Sequence, residues 1–186
     1  MRVSALTLIL LATPATAQDS AVQTALASLP KPVADRIAAD PARFATRALD
    51  MIHAHGGAGG LTAADVDRAL ALDRAFFRAR ALRPMLEADL DFDGTITADE
   101  IAARAAVLGA DGRARLMRTH MAADSDGDGS LSAAELRAGA EAAAQSGVSD
   151  REVAEARAIL AFDLDGDGRT APAEIATTAA ALADGG

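Results

Sequence analysis

The sequence predicts an all-α chain of helix-loop-helix units arranged in two paired lobes, and three observations carry that prediction. One twelve-residue acidic pattern occurs three times, over residues 89–100 (DLDFDGTITADE), 124–135 (DSDGDGSLSAAE) and 163–174 (DLDGDGRTAPAE). Each window runs into a helix start. Thr97-x-x-Glu100 and Ser132-x-x-Glu135 resemble capping boxes, with a hydroxyl at the cap and an acid at the third helical position, while Pro172 suits a first turn in the last window. Finally, 51% of the residues are hydrophobic but only 3% aromatic, and many of the apolar residues are alanine, the best helix former. Helices therefore form readily around a core with few large side chains.

Acids at alternate positions point to a hard cation. Calcium takes roughly six to eight oxygens, which a twelve-residue loop supplies from positions 1, 3, 5, 7, 9 and 12. In the middle window Asp124, Asp126 and Asp128 offer one carboxylate oxygen each, Ser130 its backbone carbonyl, Ser132 a contact through water, and Glu135 both carboxylate oxygens. Gly129 takes the positive-φ turn, and Leu131 is the buried apolar position. The same roles fall to Asp89, Asp91, Asp93, Thr95, Thr97 and Glu100 in the first window, and to Asp163, Asp165, Asp167, Arg169 and Glu174 in the last. There Ala171 replaces the ninth-position hydroxyl, so this site is expected to bind calcium more weakly.

With these residues in view, the chain resembles the EF-hand family, and its layout is similar to that of the calmodulin-like members, here of a secreted bacterial type. The resemblance implies Ca2+ as the bound ion and four helix-loop-helix units working in pairs.

The elements then follow in order. Residues 1–17 (MRVSALTLILLATPATA) have one positive charge, a short apolar run and a small-residue ending, and read as a secretory signal cut after Ala17. The run is too short to span a bilayer, which needs ~20 residues. Residues 18–40 read as an arm, a short helix followed by a hinge at Pro30-Lys31-Pro32. Asp40-Pro41 starts a helix expected over 41–53. Residues 54–65 (AHGGAGGLTAAD) lack ligands at the first five positions but keep Gly59, Leu61, Thr62 and Asp65 in phase, a first unit that has lost its metal and kept its shape. The loop starts at Ala54, Asp89, Asp124 and Asp163 are 35, 35 and 39 residues apart, a supersecondary repeat.

Pro84 is expected to kink or begin the helix entering the second loop. Gly109-Ala110-Asp111-Gly112 marks the lobe boundary, giving lobes of 41–109 and 110–186. Leu61 should then pair with Ile96, and Leu131 with Thr170. Ser149-x-x-Glu152 starts the last entering helix.

Charge narrows the function. Acids outnumber bases 27 to 18, and 13 of the acids lie in the three loops. Nucleic acid and anionic membranes, which attract clustered cations, are poor partners. No cysteine is present, so no disulfide stabilises the chain in an oxidising compartment, and calcium is the natural substitute. His53, His55 and His120 read as surface or interfacial, since no Cys or further His completes a transition-metal set. Met51, Met85, Met117 and Met121 lie near the helices entering the first three units, where a sensor exposes a Met-rich groove, although methionine also fills cores. No nucleophile elbow, zinc-protease or P-loop pattern occurs, so no enzyme is expected. The reading is a periplasmic or secreted calcium buffer or sensor with about three sites. The alternative is a structural or adhesive envelope protein in which calcium is a folding staple. A protein or peptide target is possible in either case.

Overall fold

The computed structural model describes residues 15–184. The signal expected over 1–17 lies outside the described residues except for Ala15–Ala17, which begin the first helix. The fold is all-α, made of helix-loop-helix units in two paired lobes, and among the described residues β structure is limited to isolated bridges, two between loops and one within the ligand-poor loop.

The segment read as an arm is two packed helices, α1 (Ala15–Ser28) and α2 (Lys31–Ala39). Val22, Ala25, Val33 and Ile37 are buried, because they recur at helical spacing and form one apolar face per helix. Pro30 caps α2, and Pro32 sits in its first turn. Asp40 caps α3 (Pro41–His55) by accepting from the Arg43 backbone N–H at 3.0 Å. This helix runs two residues past the expected end, into the loop that lacks ligands.

Next, α4 (Ala63–Leu86) is unbroken for 24 residues. Pro84 neither starts nor splits it but lies in its last turn. The chain continues through α5 (Ala98–Ala106), α6 (Ala110–Ala123), α7 (Ala133–Gly147), α8 (Asp150–Ala158), a 3-10 turn (Ile159–Phe162) and α9 (Pro172–Asp184). Gly109 caps the start of α6 rather than dividing lobes.

The two compact units differ from the expected 41–109 and 110–186. One combines residues up to Val66 with those from Ala154 onward; the other is Asp67–Val153. Loop pairing shows why. Ile96 and Leu131 exchange backbone hydrogen bonds of 2.9 and 2.7 Å, and Leu61 and Thr170 exchange bonds of 3.0 and 2.9 Å. The second loop therefore pairs with the third and the first with the fourth, not each with its expected neighbour. Leu61 precedes α4 and Ile96 follows it, and the two fall in different units. By contrast, α5 and α6 are joined by only Val107, Leu108 and Gly109, which returns the chain on itself.

Each unit has its own core. In the first, Val22, Ile52, Leu61, Val66, Phe162 and Ile175 are buried, and the rings of Phe44 and Phe162 lie 5.0 Å apart. Glu155 on α8 accepts from Arg36 on α2 and from Arg47 on α3, the latter at 2.9 Å. In the second, Met85, Ile96, Ile101, Leu116, Leu131 and Leu136 cluster together. Full burial of one such side chain contributes about 1.5–3 kcal/mol, so the paired loop residues Ile96 and Leu131 anchor their loops to the helices.

Candidate metal centres

In each acidic loop the entering helix delivers the first aspartate and the exiting helix returns the glutamate to it. Carboxylate oxygens of Asp89, Asp91 and Glu100 lie within 4.8 Å of one another, as do those of Asp124, Asp126 and Glu135, and of Asp163, Asp165 and Glu174. These are positions 1, 3 and 12 of each loop. The acids at position 5, Asp93, Asp128 and Asp167, accept from the backbone N–H of Thr95, Ser130 and Arg169, at 2.7, 2.7 and 2.8 Å, as Asp91 and Asp126 accept from the N–H two residues on, both at 3.2 Å.

The first aspartate organises the turn around itself. Asp124 accepts from the N–H groups of Gly127 and Gly129 at 2.8 and 3.0 Å, and Asp163 from those of Gly166 and Gly168, both at 2.8 Å. In the remaining loop Asp89 Oδ2 accepts from Gly94 at 3.2 Å, while its Oδ1 is buried and has no hydrogen-bond partner. A buried acceptor without a donor is costly. A cation held among these carboxylates would satisfy it, so the donor set fits a hard metal ion.

The closing glutamates are held in place by the backbone. Glu135 Oε1 accepts from the N–H and hydroxyl of Ser125 at 2.8 and 2.9 Å, and Oε2 accepts from those of Ser132 at 3.0 and 2.9 Å. These donors, with the Ser132 N–H foremost, hold its pKa down to about 2. Glu100 is lowered in the same direction, chiefly by the N–H groups of Thr97 and Leu90. Ionised carboxylate is the form that ligates a metal. The Thr97 and Ser132 hydroxyls also accept from the backbone N–H of Glu100 and Glu135, completing capping boxes. They therefore serve the helix start and the glutamate rather than standing free in the loop. In the last loop Glu174 accepts from the N–H groups of Leu164 and Ala171 at 2.6 and 2.7 Å, and Ala171 offers no hydroxyl.

Position 4 separates the loops. Gly127 and Gly166 have φ of 75° and 74° there, whereas the equivalent residue of the first acidic loop is Phe92, with φ of 62°. Phe92 is 90% exposed, so no packing offsets its left-handed backbone. Comparing position 4 across the three windows would have revealed this.

The ligand-poor first loop keeps only its second half. Ala54 and His55 belong to α3, Gly57 and Gly60 form a tight turn, and Asp65 closes a capping box with Thr62, whose hydroxyl donates to it at 2.6 Å. The Arg169 side chain lies over Gly59, where a Cβ would come within 3.3 Å of it. Among the described residues no acidic cluster forms at this loop. His53 is exposed, whereas His120, expected at the surface or an interface, is buried, with Nε2 3.1 Å from the Gly129 carbonyl of the middle acidic loop. It sits four residues before the loop on the inner face of α6. Of the methionines, Met85 is core while Met121 is 72% exposed.

The loops and their helices define a helix-loop-helix metal-binding protein. A family model of the EF hand matches residues 85–103 and 121–139, the two acidic loops of the second unit with the ends of their helices. No curated protein and no solved structure matches the chain.

Proposed function

We propose that this chain is an extracytoplasmic calcium-binding protein, a buffer or sensor with three calcium sites, and not a catalyst. The observation that carries the reading is the threefold convergence of carboxylates from positions 1, 3 and 12 in loops of one design. Asp89, Asp91 and Glu100 would hold one ion, Asp124, Asp126 and Glu135 a second, and Asp163, Asp165 and Glu174 the third; the carbonyls of Thr95, Ser130 and Arg169 stand at the seventh positions. The extracytoplasmic placement rests on the signal-like pattern of residues 1–17. No helix of the described residues is long and apolar enough to cross a membrane.

The loops' own hydrogen bonds favour a buffer or sensor over a protein in which calcium is only a staple. Glu100, Glu135 and Glu174 are already tied to backbone N–H groups at both ends of their loops. Helix content should therefore persist in chelator, as circular dichroism would register; collapse would favour the staple. Calorimetric titration of the chain lacking residues 1–17 should give about three calcium ions per chain, with one or none overturning the reading.

A further inference from the structure

The second unit has a basic groove in an acidic protein. Between α4, α6 and α7 lie two adjoining cavities of about 550 and 350 Å³, which share Ala81, Thr119 and Ala143 as walls. The larger is lined by Phe77, Leu108 and Leu116 together with Arg80, Arg104 and Arg115. Its one acid is Glu87, which is already engaged by Arg83 at 3.0 Å and Arg104 at 2.5 Å. Arg118 lines the smaller cavity beside Met85 and Leu136. No ion pair among the described residues engages Arg80, Arg115 or Arg118.

The sequence explains the reversal of charge. Residues 67–153 contain 16 acids and 11 arginines, but nine of those acids lie in the two acidic loops, leaving seven against the eleven arginines. Outside its loops this unit is basic, although the whole chain has a formal charge of −9.

We propose that this trough binds an amphipathic helix whose apolar stripe is flanked by acidic side chains. The stretch of α4 from Phe77 to Met85 extends ~12 Å at ~1.5 Å per residue, enough to face about two turns of a partner helix. Small walls at Ala81, Ala143 and Gly139 leave room for apolar anchors at the i, i+3/i+4 and i+7 spacing of helix-in-groove recognition. Guanidinium groups at the rim match carboxylates in shape and charge and repel a lysine-rich helix. The inference goes beyond the calcium reading and does not depend on it.

The test uses the full chain in saturating calcium and a fluorescent peptide of about twenty residues, with leucines at that spacing and glutamates elsewhere. Saturable binding of one peptide per chain is expected. Arg80→Glu with Arg115→Glu should weaken it by about tenfold or more, and Arg80→Lys with Arg115→Lys by no more than about threefold. Both arginines are exposed, and unchanged circular dichroism of the variants checks the fold. Equal binding of the lysine version or of a scrambled acidic peptide would overturn the proposal, as would binding of oleate but not peptide. So would absence of peptide binding in samples whose calorimetry still shows calcium uptake, an outcome that leaves the calcium reading standing.

Discussion

The imidazole Nε2 of His120 lies 3.1 Å from the carbonyl oxygen of Gly129 and joins the inner face of α6 to the middle acidic loop. A carbonyl only accepts, so Nε2 carries the hydrogen and donates. Removing the ring leaves that carbonyl without this donor and opens space around a residue only 6% exposed. His120→Ala should therefore destabilise the metal-free protein by about 1–3 kcal/mol, read from urea denaturation, and weaken calcium binding at this loop more than at the other two. His120→Gln, which keeps an N–H donor, should recover part of both. Identical losses in the two variants would show that the contact carries nothing.

Phe92 tests the backbone instead. Its φ of 62° costs an L-residue about 1–2 kcal/mol, and a side chain 90% exposed recovers little of that by packing. Phe92→Gly removes the steric cost but adds about 0.5–1 kcal/mol of unfolded-state entropy. The net expectation is a gain of a few tenths to about 1 kcal/mol in stability, measured by chemical denaturation in chelator. A loss would mean that Phe92 makes a stabilising contact in solution.

Acid should act on Glu87 with a definite sign. Hydrogen bonds from Arg83 and then Arg104 hold its carboxyl below the ordinary value of 4.5. A carboxyl whose folded pKa is lowered stabilises the fold above the unfolded pKa, and that contribution disappears as pH falls through the lowered folded value. Thermal unfolding of wild type and Glu87→Gln in chelator should thus differ at pH 7, with the gap closing progressively below about pH 4.5. Because Glu87 and Arg83 are exposed and Arg104 only half-buried, the gap should be small and should shrink with added salt. A gap that persists unchanged at the lowest pH would assign it to packing.

The loops were the most legible part of this chain because cation ligation imposes fixed spacing on chemically distinctive residues. Asp124, Asp126, Gly129 and Glu135 can be read in phase without knowing what surrounds them. Helix starts were legible for a related reason, since Thr97 and Ser132 must stand three residues before their glutamates. Contacts between distant segments left weaker traces. The burial of Val22 and Val33 depends on the docking of α1 and α2, and an arm of small apolar residues looks much the same packed or free. The buried position of His120 follows from the phase of α6 relative to its loop, which could have been counted. The groove's charge was concealed by the net acidity of the chain.

Loop pairing was the least legible, and it yields the sharpest test. Leu61 and Thr170 are fully buried and exchange two backbone hydrogen bonds, while the Thr170 hydroxyl donates to the Ile159 carbonyl at 3.2 Å. The ligand-poor first loop therefore supports the loop at 163–174 and not the one at 89–100. Leu61→Ala should cost about 2–5 kcal/mol in stability of the first unit. It should also lower calcium affinity selectively at Asp163, Asp165 and Glu174. Leu131→Ala should instead weaken the 89–100 loop together with its own, because Ile96 loses its partner. Single-site calcium isotherms, obtained with Glu100→Gln, Glu135→Gln or Glu174→Gln to silence individual loops, separate the two patterns. Weakening of the 89–100 loop by Leu61→Ala, with the 163–174 loop unaffected, would restore the pairing of sequence neighbours and contradict the exchange seen between Leu61 and Thr170.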